Sequence, residues 1–201
     1  MNNMSITQRA LGQAWDTLPA ALKSHYQFGD NYDEGWLSID YPGYLQPLFS
    51  LLHYTMGVLV NRRGNNVPTR VGKRMRDGML HFARTLRFVD GKVVLFNSRW
   101  EHDEGNRLIE FVTPFLGLRM KVWVDGGKLY YESCSYVFQL GTWQLSIPEW
   151  LMLGKAYIIE SALDDQHFAL DFRVQHPLLG KIFGYTGKFS TVPVASARGK
   201  A

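Results

Sequence analysis

Thiols are almost absent from this chain of 201 residues, with Cys134 the one cysteine. That excludes an internal disulfide framework and any metal centre built on several thiolates. Long apolar runs are absent as well. The longest, LQPLFSLLHYTMGVLV at 45–60, is interrupted by Gln46 and His53 and is too short to span a bilayer. The start, MNNMSITQRALGQAWDTLPAALKSHY, lacks an apolar core followed by a small-residue cleavage site. No secretory leader is therefore expected, and the expected setting is cytoplasmic and reducing. There is no phosphate-cradling glycine loop, no G-x-G-x-x-G between a strand and a helix, and no G-x-S-x-G elbow. No cofactor is expected on those grounds. The histidines at 25, 53, 81, 102, 167 and 176 show neither HxH nor HExxH spacing, and Glu101-His102-Asp103-Glu104 reads as a solvated hairpin tip. No metal is expected either.

Acid is missing from one stretch. Arg62, Arg63, Arg70, Lys73, Arg74 and Arg76 occur between 61 and 76 with no carboxylate among them. The other sixteen Lys and Arg face eighteen Asp and Glu, so the net charge of +4 is a local excess. Such a stretch reads as a solvated connection followed by a charged strand. It also admits docking to an anionic lipid surface or nucleic acid. It lacks the interleaved aromatics of a single-strand-binding groove, which argues against nucleic acid as a partner.

What is present is apolar and aromatic. Aromatic residues make up 14% of the chain and charged residues 20%, enough for one sizeable core in a single domain over 1–201. The first part, about 6–60, reads as helical. One helical segment falls within 6–26, where Asp16 or Thr17 can cap a turn and Pro19 is tolerated early. A second starts near Pro47 and gathers Leu48, Leu51, Leu52, Met56 and Leu59 on one side.

From Val67 the period becomes two. KVVLFNSRW (92–100), RLIEFV (107–112), LRMKVWV (118–124), KLYYESCSYVF (128–138), KAYIIESAL (155–163) and HFALDFRV (167–174) read as strands. The turns between them are short, which forces antiparallel neighbours. An antiparallel meander of about 8–10 strands over about 67–190 closes into a barrel or half-barrel, so the fold class is mainly β. With Gly126-Gly127 as a two-residue loop, Asp125 faces Lys128 and Lys121 faces Glu132, while Val124 meets Leu129 and Val122 meets Tyr131 on the other face. A short helix near 147–153 is signalled by SIPEW, with Ser146 and Glu149 as a capping box and Gly154 as its stop. The tail over 191–201 reads as loose.

The segment HPLLG (176–180) interrupts two strand-like runs, the second carrying Phe183, Tyr185 and Phe189 on one side. Pro177 and Gly180 suit a turn, Leu178 and Leu179 are expected to fold inward as a plug, and His176 stands at the barrel rim. The position of Glu160 depends on the turn at 164–166. A two-residue loop sets Glu160 outside against Asp171; a three-residue loop sets it inside against Leu170.

The motifs RTLRF (84–88), FNSRW (96–100), LIEF (108–111), VDGGKLYY (124–131), SIPEWL (146–151), IIES (158–161) and VQHPLLGKIFGYTGKF (174–189) occur in an order that resembles the bacterial family known as domain of unknown function 4166. Members of that family often follow a saccharopine-dehydrogenase-like oxidoreductase domain, so the resemblance implies an ancillary β domain with an oxidoreductase partner in trans. It transfers no reaction.

The leading expectation is a non-catalytic barrel that binds an apolar or amphipathic small molecule. Glu160, Glu110, His176, Tyr185 and Tyr131 are its candidate ligand-binding residues. The alternatives are an acid–base enzyme using Glu110 or Glu160 in the lumen, and a peripheral module docking through 62–76.

Overall fold

A computed structural model describes residues 4–57 and 60–193. Helices α1 (Ile6–Leu11) and α2 (Ala20–Tyr26) flank a 3-10 segment at Gly12–Thr17, and α3 (Gln46–Met56) follows a 3-10 turn at Gly43–Leu45. The strands are β1 (Asn31–Asp40), β2 (Gly64–Arg76), β3 (Met79–Arg87), β4 (Val93–His102), β5 (Arg107–Phe111), β6 (Leu116–Asp125), β7 (Lys128–Leu140), β8 (Trp143–Ile147), β9 (Lys155–Ala162), β10 (His167–His176) and β11 (Gly180–Pro193).

Ten of these eleven strands close into an antiparallel barrel. The order runs from β6 back through β5, β4, β3, β2 and β1 to β11, β10, β9 and β7, and β7 pairs again with β6. Strand β8 is the extra one, hydrogen-bonded to the far half of β7 while β9 takes its near half. The turns explain the antiparallel pairing. Asp77-Gly78 and Gly126-Gly127 both place two successive residues at positive φ, the geometry a two-residue hairpin requires. The register after the second turn is the one the charges dictate, with Asp125 opposite Lys128 and Lys121 opposite Glu132. Barrel curvature costs side chains at one seam. A Cβ on Gly187 would lie 2.5 Å from the carbonyl oxygen of Trp36, and one on Gly35 would lie 2.0 Å from that of Lys188.

The two ends differ in what covers them. The segment from α1 to α2 lies across the end that contains the Gly126-Gly127 turn, with Leu11, Trp15, Leu18 and Leu22 buried in the core. At the other end α3 is fixed by Phe49, packed on Tyr41 and Phe183, and by Gln46, which accepts from the Tyr41 hydroxyl and donates to the Asn61 carbonyl. Gly57 ends α3 in the left-handed conformation.

Several local expectations are corrected. The stretch taken as helical contains strand β1, whose inward positions begin with Asn31, Asp33 and Gly35 and so hide the period. Neither Asp16 nor Thr17 caps α2; Pro19 takes that position. Phe49 is the fully buried residue of α3, while Leu51 is exposed and Leu48, Leu52 and Met56 turn toward the barrel interior. Leu59 lies outside the described residues. Ser146 belongs to β8 and accepts from Arg119, so the helix shrinks to a 3-10 turn at Glu149–Leu151 behind Pro148. Leu178 is 87% exposed and Leu179 half exposed, so HPLLG turns the chain without plugging anything. Strand β11 continues through Thr191 to Pro193, and the rest of the expected loose tail lies outside the described residues. No described helix is long and apolar enough to cross a membrane.

Candidate functional site

The barrel encloses a cavity of about 360 Å³. Its wall alternates with the strands, so every second residue contributes: Leu37 and Ile39 from β1, Phe82 and Leu86 from β3, Phe96 and Trp100 from β4, Ile158 from β9, Leu170 and Phe172 from β10, Phe183 and Tyr185 from β11. At the top it reaches Leu48, Leu52 and Met56 beneath α3. Leu48 is 42% exposed, so the cavity meets solvent beside this helix. Its floor is His25, Tyr26, Asp33 and Glu160.

The floor is polar and buried. Helix α2 turns Ala21, Leu22, His25 and Tyr26 inward, so an apolar face carries one imidazole and one phenol. His25 Nδ1 lies 2.9 Å from Asp33 Oδ2 and 2.9 Å from Lys73 Nζ. Lys73 is only 2% exposed; its ammonium donates to Asp33 Oδ1 at 2.7 Å and to the His25 carbonyl at 2.6 Å. Thr191 donates to the same Asp33 oxygen at 2.8 Å. Burial pulls His25 down to about 4 against the pull of Asp33, so the imidazole is neutral at physiological pH. Burial works against the Asp33 carboxylate too, but His25 and Lys73 outweigh it and hold it down at about 2.

Glu160 completes the floor. It faces Leu170 across β9 and β10, the inward register. Tyr26 donates to its Oε1 at 2.9 Å, and His25 Nε2 stands 3.8 Å from the same oxygen. Its Oε2 is buried with no hydrogen-bond partner among the described residues. Burial raises the carboxyl to about 8, with Asp33 adding to the rise while Tyr26, Lys73 and Arg84 oppose it. At neutral pH this is a carboxylic acid, able to donate one hydrogen bond.

Halfway up the wall sits a second polar group. Arg84 pairs with Glu110 at 3.1 Å, and Ser98 bridges them, accepting from Arg84 at 2.8 Å and donating to Glu110 at 2.7 Å. The guanidinium also lies against the rings of Phe82 and Phe96. Both charges are therefore satisfied within the wall.

The family described as Domain of unknown function (DUF4166) matches residues 18–189, most of the chain. This chain belongs to that family. No curated protein and no solved structure matches it. The matched span of this DUF4166 chain includes His25, Tyr26, Asp33 and Glu160, the whole cavity floor, and Lys73 beside it, but not Thr191, which donates to Asp33.

Of the residues singled out from sequence, Glu160, Glu110 and Tyr185 share the cavity lining. Tyr131 is buried beneath it, its ring 5.4 Å from that of Trp100 and 6.3 Å from that of Tyr26. His176 is elsewhere: its Nε2 meets the Trp150 carbonyl at 3.1 Å on the outer surface. The acidic tip Glu101–Glu104 is bound by arginines, with Arg99 on Glu101 and Arg107 and Arg119 on Asp103. Among the described residues no group of His, Cys, Asp and Glu is arranged to hold a metal ion.

Sequence reasoning missed His25, Asp33 and Lys73. The signal for Lys73 was its phase, since Val67, Thr69 and Val71 precede it on the inward side of β2. For His25 it was the shared face with Ala21, Leu22 and Tyr26.

Proposed function

We propose that this DUF4166 barrel binds a small molecule with an apolar body. The observation that carries the reading is the cavity, lined by phenylalanine and aliphatic side chains and reaching solvent beside α3. Its volume falls within the ~300–1,000 Å³ of ligand pockets, and a few convergent polar groups are what fix a ligand's orientation in such pockets. The ligand's apolar part lies among Phe82, Phe96, Leu170 and Phe172, and its polar end meets the floor. Delivery of that molecule to an oxidoreductase acting in trans is the ancillary role that accords with the family resemblance.

The test is binding of a neutral naphthylamine dye whose fluorescence rises in apolar surroundings. The expected result is saturable enhancement with the unmodified protein and its loss when Leu170→Trp or Ala156→Leu fills the cavity, with circular dichroism unchanged. Enhancement that survives both fillings, or none at all, overturns the reading.

A second reading, acid–base catalysis, is favoured by one observation. His25 is oriented through Nδ1 by Asp33, and its Nε2 faces Glu160, so a neutral base and a neutral acid stand side by side. Solvent deuterium appearing next to the carbonyl of a bound ketone, and lost in His25→Gln, would support it; ketone recovered unlabelled would remove it.

A further inference from the structure

The floor of the cavity has its charges settled in pairs, with a few polar atoms at and around it left over. Lys73 and Asp33 neutralise each other, with Thr191 and His25 filling the remaining Asp33 contacts. Arg84, the guanidinium in the wall, is occupied by Glu110 and Ser98. Tyr26 donates its hydroxyl hydrogen bond to Glu160 Oε1. Among the described residues Glu160 Oε2 is left without a partner, on a residue 3% exposed that lines the cavity, together with two buried donors, Trp100 Nε1 in the wall and the Tyr131 hydroxyl beneath it. A buried polar atom without a partner costs about 1–3 kcal/mol, so a native site that keeps one has a use for it.

We infer that Glu160 Oε2 receives the polar end of the ligand, and that this end is an uncharged hydrogen-bond acceptor, the carbonyl oxygen of a ketone or ester on an otherwise apolar body. The inference rests on the ligand-binding reading above and names its substrate class.

The chemistry follows from which oxygen carries the proton. Oε1 accepts from Tyr26, so the proton of the neutral acid belongs on Oε2. An O–H there, in a cavity also lined by Ile158, Phe168 and Leu170, needs an acceptor that brings no unpaired donor of its own. A carbonyl oxygen meets that condition. A carboxylate does not: it would add a second buried anion near Asp33, and the two cations within reach are already paired. An ammonium would need Glu160 ionised and would stand beside Lys73.

The groups that face Glu160 come from every side. They are His25 and Tyr26 from α2, Asp33 from β1, Lys73 from β2, Arg84 from β3, Tyr131 from β7 and Tyr185 from β11. Of these, His25 and Asp33 titrate below the neutral range, and the tyrosines are all raised above their ordinary value by burial. Burial lowers Lys73 from its ordinary value against the pull of Asp33, and Glu160 is the carboxyl raised to about 8, so its charge changes as pH passes from neutral to mildly alkaline.

The experiment displaces the naphthylamine dye with four probes of equal chain length: dodecane, the corresponding methyl ketone, laurate and dodecylamine. The ketone is expected to displace dye at roughly one-tenth the concentration that dodecane or laurate needs, the factor one hydrogen bond of about 1.4 kcal/mol supplies. Its carbonyl stretch should move to lower frequency on binding. Above about pH 8 the ketone should lose that advantage while dodecane is unaffected. Glu160→Leu should bind dodecane and ketone alike with no shift of the stretch, and Glu160→Gln, which keeps a donor, should retain part of the preference. If Glu160→Leu does not fold, the pH series and the stretch in the unmodified protein decide alone. Equal displacement by dodecane and ketone, or preference for laurate or the amine, overturns the inference and leaves the ligand-binding reading standing. Failure of every probe, and of the dye itself, overturns both.

Discussion

The two ends of this barrel invert the usual placement of charge and oil. At the end covered by α1 and α2, the buried layer contains Lys73, Asp33, His25 and Glu160. At the other, Leu51, Tyr54, Trp150 and Leu178 stand in solvent, and the ion pair of Arg62 with Asp90 lies on the surface. A buried ion pair gains little over an apolar core, yet it becomes costly once one partner is removed. The sealed end thus derives its order from completeness: each group is held because the next one is there. The open end has no such coupling. Helix α3 buries Phe49 alone, and its other apolar residues are free to line a cavity or its mouth.

The most severe way to break this comparison is to remove the cation from the floor. Lys73→Met leaves the Asp33 carboxylate buried beside a neutral imidazole and should cost about 3–5 kcal/mol in urea unfolding. Leu51→Ser at the open end should change stability by less than about 0.5 kcal/mol. Adding Asp33→Leu to Lys73→Met should recover most of the loss, because the unpaired charge is then gone. If Lys73→Met and Leu51→Ser cost the same, the sealed end is not held by its ion pair.

How much of this was legible in the sequence depends on the distance between partners. The hairpin at 126–127 was readable because both halves of each pair, such as Lys121 and Glu132, lie within a dozen residues and obey one alternation. The turn at 164–166 left two registers for Glu160; Asp164 accepts from the amides of Gln166 and His167, and Leu163 N–H donates to the His167 carbonyl, which holds the three-residue loop and the inward register opposite Leu170. Lys73 finds Asp33 forty residues away and His25 forty-eight away, so no local pattern announces the pairing. A basic run from 62 to 76 then looks uniformly solvated, although one member of it is core. The same blindness applies to β1, where Asp33 occupies an inward position that an isolated strand would assign to an apolar residue.

A smaller effect sharpens the comparison through pH. Glu160 is raised from 4.5 to about 8, so the folded protein holds a proton there that the unfolded chain releases above its ordinary range. Its contribution to stability is complete at acid pH and is lost as pH climbs toward 8. His25 acts in the opposite sense: lowered from 6.5 to about 4, it adds stability as pH rises through that interval. The two oppose each other below about pH 6.5, and Asp33 matters only at more acid pH still. The window in which His25 and Asp33 no longer contribute therefore runs from about pH 6.5 to about pH 8; Lys73, lowered by burial, works there only in the opposite direction, and comparison with Glu160→Gln isolates the carboxyl. There the unmodified protein should lose up to roughly 1.4 kcal/mol per pH unit, and Glu160→Gln should lose little. Parallel slopes for the two proteins would mean that the floor carboxyl is already ionised at neutral pH.

The smallest effect is expected one residue away from the largest. Strand β2 alternates, with Val71 and Lys73 buried and Arg70, Arg74 and Arg76 exposed on the opposite face. Arg70 rests on the ring of Tyr32, 4.0 Å from its centroid, and Arg74 and Arg76 point away from the barrel interior. The run of like charge is thus divided by the pleat into two unrelated roles, one cation inside and several outside. Replacing Arg74 and Arg76 together by Ser should leave unfolding within about 0.5 kcal/mol of the unmodified protein. Dye affinity should also be unchanged, because neither side chain lines the cavity. The result to compare is Lys73→Met measured under the same conditions. If Arg74→Ser destabilises as much as Lys73→Met, the two faces of β2 are energetically alike, and the sealed end owes its stability to something other than the buried pair.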